Sequence, residues 1–86
     1  MPSERTLFQQ VVAKSASLET RREAIDELGR LGAVEQLRTL TETNGIDGVL
    51  RRDAVSELKT LRATDALEAI AGDRAVDSAI REHARR

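Results

Sequence analysis

The feature that most constrains the fold is a repeat. The stretch RREAIDELGRLGA, from Arg21 to Ala33, returns as RRDAVSELKTLRA, from Arg51 to Ala63, at an offset of 30 residues. Over the twenty positions from residue 21, eight are identical: Arg21/Arg51, Arg22/Arg52, Ala24/Ala54, Glu27/Glu57, Leu28/Leu58, Leu31/Leu61, Ala33/Ala63 and Leu37/Leu67. Chance would supply roughly one or two, and a fixed period of this length marks stacked copies of one unit. The phase extends outward through Leu7, through Ser17, Asp47 and Asp77, and through Arg81 and Ala84. Three copies result, about 3–31, 33–61 and 63–86, the last shortened, and together they form a single domain over 1–86.

Within each copy the apolar spacing is helical. Leu7, Phe8, Val11 and Val12 form one stripe, Leu18, Ile25, Leu28 and Leu31 the next, and Val49, Leu50, Val55, Leu58 and Leu61 repeat it. Ser3, Ser17, Asp47 and Asp77 offer side-chain acceptors for free backbone N–H groups at helix starts. Gly32 supplies a left-handed stop, and TNGIDG at 43–48 reads as a loop. The spacing predicts six helices, about 3–15, 18–31, 34–43, 48–61, 64–72 and 77–86, and no strand. A pair of short helices cannot bury its apolar face alone, so each pair must stack on the next. The expected architecture is all-α, a short right-handed α-α superhelix (solenoid) of about three helix pairs.

Composition agrees and narrows the chemistry. The chain has one aromatic residue, Phe8, and no Cys, so its core is aliphatic and it has no thiolate metal site. Fourteen basic and fifteen acidic side chains nearly cancel, unlike the basic excess of a general nucleic-acid binder. MPSERTLFQQ is too charged for a signal peptide and no run is long enough to span a bilayer, so the expectation is a soluble, cytoplasmic protein without a membrane association.

GVLRRDAVSELKTL and SLETRREAIDELGRLGA resemble the second helix of a HEAT repeat, in the short form associated with phycobilisome lyases. Asp47, Val49, Arg51, Ala54 and Leu58 match that pattern in one copy, and Arg21, Ala24, Leu28 and Gly29 in another. No proline follows the Asp, and Lys59 and Arg62 replace Gly29 and Gly32. The resemblance implies that the turn Asp and the helix Arg bridge neighbouring repeats. The i, i+4 spacings Asp47/Arg51 and Asp77/Arg81 suit such pairs, as Arg22/Asp26 and Asp26/Arg30 suit surface pairs.

Function is expected on the second helices. Arg22, Glu23, Asp26, Arg52, Asp53 and Ser56 should project from their concave face and bind another protein, with Arg22 and Arg52 left free for a partner. The shortened third copy, starting its last helix with Val76, Ala79 and Ile80, predicts a homodimer through the C-terminal end of the stack. The alternative is a nucleic-acid-binding module using an arginine ladder of Arg21/Arg22, Arg51/Arg52 and Arg81. Arg81, Arg85 and Arg86 otherwise complement a helix dipole.

No enzyme is expected. His83 is the lone histidine and lacks partners for a metal site. Of the serines, only Ser78 falls near it in sequence, and Ser78 reads as a helix start. Glu23, Glu27, Asp53 and Glu57 read as one solvated acidic face. No catalytic residue, cofactor or metal is predicted, and the bilin-attaching activity that the lyase resemblance implies is disfavoured by the absence of Cys.

Overall fold

The computed structural model describes residues 3–86, and among these the only regular structure is helix: α1 Glu4–Val12, α2 Leu18–Arg30, α3 Val34–Glu42, α4 Gly48–Thr60, α5 Thr64–Gly72 and α6 Ser78–Arg85. Each copy contributes a packed pair, α1 with α2, α3 with α4, and α5 with α6. Across copies α2 packs on α4 and α4 on α6, while α1 packs on α3 and α3 on α5. The second helices thus form one row and the first helices another.

The core is the aliphatic stripe of the repeat. Leu28, Leu37, Leu40, Leu50, Leu58 and Ile70 are fully buried, with Ala24 and Ala54 allowing close approach between helices. Ile46 and Val76, from the connections inside copies two and three, are also buried and pin those turns to the core. The first copy departs at two phases. Gln10 and Thr20 are exposed where Leu40 and Ile70, and Leu50 and Ile80, are buried. The face of α1 and α2 turned away from the second copy is therefore polar.

Helix ends explain the differences from the expected bounds. α1 stops at Val12, short of residue 15, because Ala13 is extended and Ala16 N–H bonds the Ala13 carbonyl at 3.0 Å. Thr43 and Asp73 turn the chain at the same phase. Ser3 and Ser17 cap as expected, accepting from Thr6 N–H at 3.2 Å and Thr20 N–H at 3.1 Å. Asp47 and Asp77 occupy the cap position but their side chains make no cap bond. α2 and α4 end alike. Ala33 N–H reaches the Leu28 carbonyl and Ala63 N–H the Leu58 carbonyl, both at 3.0 Å, around a left-handed residue. That residue is Gly32 (φ 69°) in one copy and Arg62 (φ 56°) in the next.

Candidate functional site

Five of the six expected site residues, Arg22, Glu23, Asp26, Asp53 and Ser56, line one open hollow of about 560 Å³ between α2 and α4. Arg52, the sixth, is exposed but not part of it. Four further residues complete the lining, Leu18, Glu19, Ile25 and Glu57, none of them among the expected site residues. Leu18 is 42% exposed, one of two large apolar side chains left so open among the described residues.

Arg22 is not free. Its Nε donates to Asp53 Oδ2 at 2.7 Å and its Nη2 to Asp53 Oδ1 at 3.2 Å, a forked pair that joins α2 to α4. It does not pair with Asp26, which instead accepts Arg30 Nη2 at 2.8 Å. The expected solvated acidic face is broken up in the same way. Glu27 pairs with Arg30 Nη1 at 2.8 Å, Asp53 is taken by Arg22, and Glu57 lies half-buried against Gly29. A Cβ on Gly29 would meet the Glu57 carboxyl, which would have to move aside. Burial, then the neighbouring Asp26 and Asp53 carboxylates, pushes the Glu57 carboxyl above the usual range, with Arg30 opposing.

The bridging arginines behave differently from the expectation. Arg21 is buried, and its Nε donates to the Val11 carbonyl at 2.7 Å, tying α2 to α1 within one copy. Neither Asp47/Arg51 nor Asp77/Arg81 forms an ion pair: the Nε of Arg51 and of Arg81 turns inward, buried and without a protein partner. At this phase Arg21 is buried, and Arg51 and Arg81 are partly buried and form no ion pair among the described residues.

The second junction is built from other groups. Ser56 Oγ and His83 Nε2 lie 3.0 Å apart, joining α4 to α6. Ser56, not Ser78, is the serine beside the histidine. Its hydroxyl also donates to the Arg52 carbonyl at 3.1 Å within its own helix. The contact with His83 ties α4 to α6. Burial first, then the charges of Lys59 and Arg86, holds the His83 imidazole below its usual range; Arg52 adds its charge, while a hydrogen bond to its backbone opposes.

Two clusters of opposite sign therefore share the row of second helices, acidic between α2 and α4 and basic between α4 and α6. Among the described residues no group of three His, Asp or Glu side chains is placed to hold a metal ion, and no helix is long and apolar enough to cross a membrane. Comparison with family models, with curated proteins and with solved structures finds no match to this chain.

Proposed function

We propose that the chain is a short right-handed solenoid of three HEAT-like helix pairs and acts in the cytoplasm as a non-enzymatic protein-interaction module, using the face of its second helices. The solenoid reading is supported by the repeat at 30 residues together with the packing of each second helix on the next and each first helix on the next. The interaction reading rests chiefly on the hollow between α2 and α4, which gathers Arg22, Glu23, Asp26, Asp53 and Ser56 at one concave place. The charge there favours a protein partner over nucleic acid. Carboxylates outnumber the single guanidinium of the lining, and that guanidinium is already engaged by Asp53.

The test is capture with two forms of the immobilised chain, wild type and the pair Glu23→Lys with Asp26→Lys, beside a control carrying Glu35→Lys on α3. Proteins retained by wild type and control but lost from the α2 variant would support the face. Equal retention by all three would overturn it. Binding of mixed duplex or single-stranded DNA that weakens steeply with salt would favour the nucleic-acid alternative instead.

A further inference from the structure

Along the second-helix row the phase of Asp26, Ser56 and Arg86 runs from acidic to basic, while that of Arg22, Arg52 and Glu82 runs the other way, with Arg22 and Glu82 taken up in ion pairs with Asp53 and Arg85. Ion pairing inside the molecule leaves the two ends unbalanced. Glu19, Glu23 and Glu57 at the acidic end, and Arg52, Lys59 and Arg86 at the basic end, have no salt-bridge partner among the described residues. Glu19 and Glu23 thus stand exposed on α2 with Glu57 half-buried beside them, while Arg52, Lys59 and Arg86 gather around His83 where α4 meets α6.

Building on the proposed interaction face, we propose that its partner is a second copy of this chain, laid antiparallel, so that the acidic hollow of each copy meets the basic cluster of the other. A surface whose charge changes sign from end to end is self-complementary under a two-fold axis passing near its middle. One rotation makes both contacts at once, as a closed dimer requires. The parallel arrangement sets like charge on like charge and is selected against. A second copy supplies both halves of the match from residues already in place, whereas a basic partner would answer only the acidic half. The formal net charge of −1 puts little overall repulsion in the way. Leu18, at the edge of the hollow, gains cover from water in the same contact. The molecule spans 32 × 23 × 16 Å, so its widest face offers roughly 700 Å², against about 800 Å² per partner in a stable interface. The dimer is therefore weak, and its charge-driven part is sensitive to salt.

Sedimentation equilibrium on the full chain tests this with wild type, an acid-reversed variant (Glu19→Lys, Glu23→Lys), a base-reversed variant (Lys59→Glu, Arg86→Glu) and the equimolar mixture of the two variants. Far-ultraviolet circular dichroism checks that each is folded. Wild type should dimerise with rising concentration at low salt, and at least tenfold more weakly at high salt. Each variant alone should stay monomeric, and the mixture should regain the dimer, because each reversed end then faces its opposite. Monomeric wild type at low salt, variants that dimerise as wild type does, or a mixture that stays monomeric would each overturn the proposal. If wild type is monomeric yet a foreign protein is retained and then lost on reversing α2, the interaction-module reading stands while the self-pairing falls. If neither association occurs, both fall.

Discussion

Arg22 and Asp53 stand 31 residues apart, one repeat plus one, and make the forked ion pair that ties α2 to α4. One period further on, the same two positions hold Arg52 and His83, which cannot form such a pair. The junction between α4 and α6 uses the neutral contact of Ser56 with His83 instead. Near-identical copies are thus joined by different chemistry, and their junctions should respond to different solution conditions.

The first junction should be sensitive to ionic strength. Arg22→Ala and Asp53→Ala should each lower the melting temperature, and the double variant should be little worse than either single one, since both remove the same contact. The coupling should be largest at low salt and fade toward about 1 M, where charges are screened within roughly 3 Å. Arg22 is 52% exposed, so the effect is small and screening should remove most of it. Strictly additive losses at low salt would show that the pair does not couple.

The core phases should be far less forgiving. Leu28 and Leu58 are both fully buried at one phase of the repeat. Truncating either to Ala should cost about 2–5 kcal/mol in urea unfolding, from lost transfer energy and the cavity left behind. A loss under about half a kcal/mol would contradict their placement in the core.

Periodicity made the helices and the core legible because burial acts on every copy at the same phase. Six helices were readable from apolar spacing, with Leu28, Leu50 and Leu58 facing inward. It was less informative where a copy's neighbours differ. Gln10 and Thr20 share the phase of buried aliphatic residues but have no preceding copy among the described residues to cover them. Side-chain pairing was also hidden, since spacing alone favours a pair between Asp47 and Arg51, while the Arg51 Nε is buried and no such pair forms. The hollow was partly legible, through the row of charged residues on α2. Glu57 escaped because its role depends on Gly29, 28 residues earlier. The link of Ser56 to His83 spans 27 residues, one period less three, and depends on contacts between copies that spacing within a copy does not carry.

Arg62 carries a cost that its counterpart avoids. It holds φ 56° where Gly32 holds 69°, and a Cβ in this region is disfavoured by roughly 1–2 kcal/mol, part of which glycine returns as lost chain entropy. Arg62→Gly should therefore stabilise the protein by about 0.5–1 kcal/mol, read from the shift in urea midpoint at unchanged slope. No shift would mean that Arg62 makes a compensating contact.

Gly29 and Glu57 should show strong coupling. Gly29 lies in the last turns of α2, where Ala is favoured by about 1 kcal/mol in a helix interior. In the wild-type background Gly29→Ala must displace the Glu57 side chain, which offsets the gain. In the Glu57→Ala background the obstacle is gone and the full gain should appear. Equal effects in both backgrounds would show that the carboxyl yields without cost.

The second junction should weaken in acid. The imidazole of His83 is held below its ordinary value of about 6.5, so between its depressed value and that one the unfolded chain binds more protons than the folded chain. Stability therefore rises with pH across this window, and the contribution of neutral His83 is lost as pH falls through it. Protonation would place a positive charge among Lys59, Arg86 and Arg52. Glu57 has the opposite tendency, because a raised carboxyl is favoured protonated, and the His83 effect has to be isolated by difference. His83→Gln keeps a donor within reach of Ser56 and removes the titration. Melting temperatures of wild type and His83→Gln should run parallel above about pH 7.5 and separate below about pH 6.5, with wild type falling faster. Amide exchange should quicken first in α6, the helix that this contact ties to α4. Melting curves that stay parallel down to pH 5 would remove the histidine from any part in acid sensitivity.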